Sequence, residues 1–157
     1  MLIQFEEYLT FENIYIYSSF GVIPFWLLLI IIPNSKVTQI FVNSIILPII
    51  LSTAYIHVLY QSILLGESFS GILKIYLSID NLYTIFATES FLLFFWIHFL
   101  ALNLFLGSWV SRDSVKYNIP RKIIFIPLIL IYLTGPVGLV LYWLFRVFYS
   151  KKLGLHD

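Results

Sequence analysis

The sequence predicts an all-α integral membrane protein with four transmembrane helices and an interfacial amphipathic segment between the second and third. Of its 157 residues, 61% are hydrophobic and 11% are charged, whereas a soluble globular domain carries about 25% charged residues. Such sparse charges do not cover a water-facing surface, which excludes a soluble enzyme. The formal net charge of +1 excludes a nucleic-acid-binding protein, because phosphate binding needs many basic side chains.

Four stretches without a charged residue define the transmembrane helices. They cover 13–35, 37–66, 90–111 and 123–145. Each contains the ~20 largely apolar residues that a helix needs to cross the hydrocarbon core. We therefore predict a single membrane domain over residues 1–157, with spans at about 14–32, 39–65, 90–110 and 123–145.

Local signals support the elements in turn. The first span ends at Pro33-Asn34, a typical stop-and-turn pair. The segment 66–89 is too charged to cross a bilayer and too apolar for a free loop. We therefore interpret it as interfacial, with an amphipathic helix at about 70–79. In the fourth span, Gly135-Pro136-Val137-Gly138 predicts a kink, because proline removes a backbone hydrogen-bond donor.

The basic residues do not decide the membrane orientation. With four spans, the N-terminus, segment 66–89 and the C-terminus share one side of the membrane. This arrangement divides the 9 Lys and Arg residues almost equally between the two sides, so the positive-inside rule does not decide between them. The densest basic cluster, at 112–122, favours the cytoplasm or the stroma for its loop. We expect the charged side chains at the helix ends, Arg112, Asp113 and Arg146, to be interfacial anchors.

Two histidines, His57 and His98, are the only ionisable residues besides tyrosine within the predicted spans. Ionisable groups are costly in a membrane and are therefore functional candidates. Both lie about 13 Å from the same membrane face, at about 1.5 Å per residue. Gly135-Pro136-Val137-Gly138 reaches the same depth, so we predict one layer of the membrane that forms a pocket or a tight helix crossing.

The chemistry of this layer leaves several ligands open. Facing imidazoles are typical ligands of a b-type haem or a chlorophyll. Two histidines with distant carboxylates are too few for a zinc site, so we predict no metal. The sequence contains no cysteine, which excludes thiol chemistry. A histidine acting as acid and base on an apolar substrate also remains open.

The segment 96–107 reads Trp-Ile-His-Phe-Leu-Ala-Leu-Asn-Leu-Phe-Leu-Gly. It resembles the signature Trp-x-His-x-Leu-x-x-Asp-Leu-Phe-x-Gly of the abscisic-acid-deficient-four-like family. Motifs of the other spans are similar to that family as well: Ile23-Pro24-Phe25-Trp26 with Pro33-Asn34, Pro48 with Tyr55, and Gly135-Pro136-Val137-Gly138-Leu139. The resemblance covers about residues 20–146, and the sequence departs from it at Asn103, where the family pattern has Asp.

The resemblance implies a four-helix membrane protein connected with the conversion of violaxanthin to neoxanthin. It leaves open whether this chain is an enzyme. One function is a carotenoid (xanthophyll epoxide) isomerase or a carotenoid-binding protein. The alternative is a non-catalytic, pigment- or lipid-binding accessory subunit of a larger photosynthetic or respiratory membrane complex. The expected location is a bacterial inner membrane, a thylakoid or another organelle membrane.

The site follows from the layer of histidines and from the resemblance together. His98 is the candidate catalytic acid and base. The candidate substrate- or pigment-binding residues are His57, Tyr55, Trp96, Asn103, Gly135, Pro136 and Gly138. The expected ligands are a carotenoid, a chlorophyll or a lipid. The expected partners are membrane lipids, an apolar small molecule and other membrane-protein subunits.

Overall fold

A computed structural model describes residues 8–44, 46–67 and 72–151, and the regular structure in these ranges is entirely helical. The all-α prediction is therefore confirmed for the described part of the chain. The α-helices are α1 Phe11–Gly21, α2 Ile23–Ile31, α3 Lys36–Phe41, α4 Ile46–Leu64, α5 Ile79–Phe86, α6 Glu89–Lys116, α7 Arg121–Thr134 and α8 Pro136–Ser150. A short 3-10 helix, Ile72–Tyr76, precedes α5.

Among the described residues, three helical stretches are long and apolar enough to cross a membrane. They are Phe11–Ile31, Lys36–Leu64 and Glu89–Lys116. These stretches coincide within a few residues with the first three predicted spans. The prediction of four spans is not confirmed, because the region of the fourth is divided into α7 and the shorter apolar helix α8.

The helices α7 and α8 form a hairpin that turns at Gly135. This residue has a φ of +65°, which favours glycine because a Cβ is strained there. Pro136 starts α8, where its fixed φ suits the first helical turn and its missing N–H costs nothing. Further along, a Cβ on Gly138 would lie 2.6 Å from the carbonyl oxygen of Pro127 and closer still to the backbone nitrogen of Ile131. The sequence predicts a kink here; the two helices instead pack closely against each other.

The end of α8 lies beside the end of α6. The rings of Trp109 and Tyr142 are 5.7 Å apart, and Arg146 pairs with Asp113 at 2.7 Å. From the first contact to the second, the chain moves one turn forward on α6, from Trp109 to Asp113, and one turn forward on α8, from Tyr142 to Arg146. The helix α8 therefore runs in the same direction as this part of α6. The C-terminal end of α8 is therefore level with the α6–α7 loop, whereas a single fourth span would place it at the opposite membrane face.

The segment between α4 and α6 is helical in two short pieces. Ser78 caps α5 by accepting a hydrogen bond from the backbone N–H of Asn81 (3.2 Å), and the Asn81 side chain donates to the carbonyl oxygen of Lys74 (3.1 Å). The amphipathic helix predicted at 70–79 is thus a 3-10 turn followed by α5. Residues 70 and 71 of that prediction lie outside the described residues.

The chain divides into two compact units, which are described separately. Unit 1 comprises residues 1–21 and 48–99, and unit 2 comprises residues 22–47 and 100–157. In unit 1, Gln61 of α4 donates to the carbonyl oxygen of Leu9 (2.9 Å), and Ser90 of α6 is hydrogen-bonded to Glu67. These bonds join the C-terminal end of α4 to the start of α1 and of α6. The prediction of a single membrane domain stays a prediction.

Candidate functional site

Unit 1 contains a cavity of about 480 Å³ between α1 and the start of α6. Its volume lies within the range of about 300–1,000 Å³ that is typical of small-molecule sites. The lining combines aromatic and aliphatic side chains with two carboxylates. It consists of Phe11, Glu12 and Tyr15 from α1 and Glu89, Leu92, Leu93 and Trp96 from α6.

Trp96 is held in the wall of this cavity from several directions. Its indole N–H donates to the hydroxyl of Ser19 at 2.7 Å, and its ring lies 5.7 Å from that of Tyr15. Phe99, three residues later on α6, stacks against the indole with ring centroids 5.6 Å apart. Because the polar N–H is satisfied by Ser19, the part of the indole that Tyr15 and Phe99 do not cover is left for contact with an apolar ligand.

The two carboxylates lie at the other end of the cavity. Glu12 is in the first turn of α1 and Glu89 is the first residue of α6, where the helix dipole favours negative charge. Trp96 follows Glu89 by two helical turns, which is roughly 10 Å along the helix. The cavity therefore has an acidic end and an aromatic end. A ligand with a polar head and an apolar body matches this arrangement.

The other predicted site residues of unit 1 do not line this cavity. Tyr55 is exposed at the surface, with its ring 4.7 Å from that of Phe94. His57 is half-buried, and its buried Nε2 has no hydrogen-bond partner among the described residues. His98 is exposed, and its position two residues after Trp96 places it on nearly the opposite side of α6. No hydrogen bond between the two histidines is found in the described ranges.

In unit 2, the predicted residues Asn103 and Gly135 meet each other. Asn103 is 4% exposed, and a Cβ on Gly135 would lie 2.5 Å from its Oδ1 atom. The Nδ2 atom of Asn103 is buried without a hydrogen-bond partner in the described part of the chain. The backbone of α7 occupies the space beside Gly138, and Pro136 is exposed. Asn103 of α6 therefore packs against the turn at Gly135, and Gly138 packs against α7.

A second close contact lies one turn further along α6. A Cβ on Gly107 would lie 2.6 Å from the Trp26 ring of α2, and the Trp26 ring packs edge-on against Tyr132 at 5.5 Å. The motif Ile23-Pro24-Phe25-Trp26 and the motif at 96–107 thus touch through these residues. Small residues of this kind typically allow membrane helices to approach closely.

Sequence reasoning missed a buried polar cluster at the end of α6 and α8. Asp113 accepts hydrogen bonds from Tyr142 (2.6 Å) and from Nε of Arg146 (2.7 Å). The Arg146 side chain, which is 0% exposed, also donates to Tyr117 at 3.0 Å and lies 4.6 Å from the centre of its ring. The prediction that Asp113 and Arg146 are interfacial anchors is wrong, because their side chains are buried against each other. Trp109 precedes Asp113 by one helical turn, and Tyr142 precedes Arg146 by one helical turn. This equal spacing is the only signal in the sequence that could have indicated the pair.

Within the described ranges there is no group of three or more His, Asp or Glu side chains that could hold a metal ion.

The arrangement of these residues can be compared with known proteins. The family model described as ABA DEFICIENT 4-like matches residues 13–142, which is most of the chain. The protein belongs to the ABA DEFICIENT 4-like family. Neither the curated proteins nor the solved structures that were compared gave a match.

The part that matches the ABA DEFICIENT 4-like family includes the aromatic end of the cavity and the turn at Gly135. Glu12 and Arg146 lie just outside it. The family match and the long apolar helices together show a membrane protein. They do not name a ligand, so the role of the cavity rests on its own geometry.

Proposed function

We propose that this protein binds an elongated apolar molecule of the carotenoid class, with a polar end group in the cavity of unit 1. The observation that carries this proposal is the lining of the cavity, which joins the aromatic wall of Trp96 and Tyr15 to the carboxylates of Glu12 and Glu89. An end ring that carries a hydroxyl or an epoxide has the same division into an apolar body and a polar tip.

Access to the cavity supports a ligand that arrives from the bilayer. Tyr15 and Leu92, which line it, are both about half exposed on the surface of unit 1. A hydroxyl group at the acidic end can donate to a carboxylate, and such charge-assisted hydrogen bonds are stronger than neutral ones. The polyene chain then extends along apolar side chains toward the lipid.

Pigment binding can be tested by producing the protein in a bacterial host that makes xanthophylls and measuring pigment absorbance per mole of purified protein. Trp96→Leu is expected to lower the bound pigment by at least about tenfold, because the contact of one large aromatic ring is worth about 1.5–3 kcal/mol. Trp143→Leu is the matched control, since Trp143 does not line the cavity. Equal losses in both variants, or no pigment in the wild-type protein, would refute the proposal.

The pair of carboxylates in one cavity also favours isomerisation of a xanthophyll epoxide. A protonated carboxyl group donates its proton to the epoxide oxygen as the C–O bond breaks, and the other carboxylate removes a proton from a nearby carbon as a new carbon–carbon π bond forms. One proton is added and one is lost, so the product is an isomer with a hydroxyl group. Glu12 and Glu89 supply this pair, which is the usual requirement for acid and base catalysis.

Turnover separates this assignment from the assignment to His98 that the sequence predicts. Purified protein is incubated with violaxanthin, and the products are separated by chromatography. If the carboxylates react, Glu12→Gln and Glu89→Gln lower the rate about 10²-fold or more, while His98→Gln leaves it unchanged. Loss of activity in His98→Gln alone would assign the chemistry to the histidine and place it outside the cavity.

The same cavity suits a non-catalytic accessory subunit that only holds its pigment. In that case the bound pigment is recovered unchanged, and the protein migrates with other membrane-protein subunits after mild solubilisation. The fate of the pigment therefore distinguishes the isomerase from the accessory subunit, and both require Trp96.

A further inference from the structure

A second cavity lies in unit 2, at the end where α6 stops and α7 begins. Its volume is about 250 Å³, slightly below the range of about 300–1,000 Å³ for complete small-molecule sites. A cavity of this size accommodates part of a ligand. No residue lines both this cavity and the cavity of unit 1.

The lining of this cavity changes from polar to apolar. Arg121, Asn118 and Asn34, all exposed, provide its polar part. Leu29 and Leu128 provide a buried apolar part. The charged head and the chain of an amphiphile need these two environments side by side.

The charge at this end of unit 2 is strongly positive. Among the described residues, unit 2 contains most of the basic side chains: Lys36, Arg112, Lys116, Arg121, Lys122, Arg146 and Lys151. Its one described carboxylate, Asp113, is already paired with Arg146. Arg121 has no carboxylate within ion-pair distance in the described part of the chain. An anionic group is therefore the complementary partner for Arg121.

We propose that this cavity binds an anionic phospholipid, with its phosphate on Arg121 and the start of an acyl chain against the apolar lining. This inference goes beyond the pigment-binding function and does not depend on it. Basic side chains at a membrane surface attract anionic lipids. The hydrogen-bonding side chains of Asn34 and Asn118 add donors for the phosphate or the glycerol group.

Native mass spectrometry of the delipidated, full-length protein in detergent tests the site. Phosphatidylglycerol is expected to bind more tightly than phosphatidylcholine, and Arg121→Gln is expected to weaken its binding about fivefold. Lys122→Gln is the matched control, because it removes an equal charge from the next residue, which does not line the cavity. Equal losses in the two variants would show a general surface attraction and overturn the proposal.

A second pair of variants tests the apolar part of the site. Phe125 and Ile126 are both exposed, at 48% and 55%, but only Phe125 lines the cavity. Phe125→Ala is expected to weaken the binding of phosphatidylglycerol several-fold, and Ile126→Ala is expected to leave it unchanged. If the two variants behave alike, or if inorganic phosphate raises the unfolding temperature as much as the lipid does, the ligand is not a phospholipid.

Discussion

Unit 1 and unit 2 differ in how they use their polar residues. In unit 1 the acidic side chains Glu12 and Glu89 lie at a cavity that opens at its surface. In unit 2 the acidic side chain Asp113 is enclosed by Arg146 and Tyr142. Unit 1 therefore keeps the carboxylates of Glu12 and Glu89 available for a ligand, whereas unit 2 uses the carboxylate of Asp113 to hold helices together.

The glycines show the same difference. A Cβ added to Gly21 in unit 1 would meet nothing within 4 Å, whereas one added to Gly107, Gly135 or Gly138 in unit 2 would have a neighbour at 2.6 Å or less. Close contacts of this kind restrict the arrangements that neighbouring helices can adopt. We infer that the turn at Gly135 and the contact between α7 and α8 are tightly specified in unit 2, whereas the cavity of unit 1 is the proposed pigment site.

The largest expected effect is in an experiment on the path of α8, because each labelled position reacts from one membrane face or from the other. The chain lacks cysteine, so Arg121→Cys and Lys151→Cys can be labelled singly with a membrane-impermeant maleimide. Because α8 returns to the end of α6, both positions are expected to react from the same membrane face. Reaction from opposite faces would show a fourth span and remove the hairpin.

This experiment also gives the orientation. With the hairpin, the positive-inside rule applies to one densely basic end of unit 2. We therefore expect both cysteines to react from the cytoplasmic face, or from the equivalent face of an organelle membrane. Permeabilised and intact vesicles distinguish the two faces.

The next effect concerns the buried ion pair of unit 2. Asp113→Ala leaves the guanidinium of Arg146 buried without its carboxylate, and is expected to lower the free energy of unfolding by about 3–5 kcal/mol. Asp80→Ala in unit 1 is the control, because Asp80 is exposed. Thermal unfolding in detergent measures both variants.

The double variant Asp113→Ala/Arg146→Met completes this comparison. It removes both charges, so most of the lost stability is expected to return. If the double variant loses as much stability as the single variants Asp113→Ala and Arg146→Met lose together, the ion pair does not act as a unit.

A smaller effect is expected at the hairpin. Gly138→Ala pushes a methyl group against the backbone of α7 and is expected to cost about 1–3 kcal/mol. Gly21→Ala, at the end of α1, meets no neighbour and is expected to leave stability unchanged or to raise it slightly. The unfolding temperatures of the two variants measure the difference, and equal values would contradict the close packing of α7 on α8.

The smallest effect is expected at Ser19, which orients Trp96 in unit 1. Ser19→Ala removes one hydrogen bond and is expected to weaken pigment binding by about 0.5–1.5 kcal/mol, or several-fold. Ser18→Ala is the control, because the Ser18 hydroxyl donates within α1 to the carbonyl oxygen of Tyr15. Pigment retention should fall only in Ser19→Ala; a loss as large as that of Trp96→Leu would mean that Ser19 contacts the pigment itself.

The sequence by itself determined the class of the protein and three of its long apolar helices. The length and hydrophobicity of a stretch such as 90–110 are local properties of the sequence. They indicate a membrane helix whatever the stretch packs against. The motif at 96–107 likewise indicated the family from its residues alone. Trp96 is a candidate through that motif, and it lies in the wall of the cavity.

Only the tertiary structure decided whether Gly135 makes a kink or a hairpin, and whether Asp113 is exposed or buried. Both depend on contacts between residues far apart in the chain, since the energy of Arg146 in α8 is set by Asp113 in α6. The cavity of unit 1 depends in the same way on α1 lying beside α6, which places Glu12 next to residues that follow it by about eighty positions. Local hydrophobicity does not contain this information, because it is the same for either packing of the same helices.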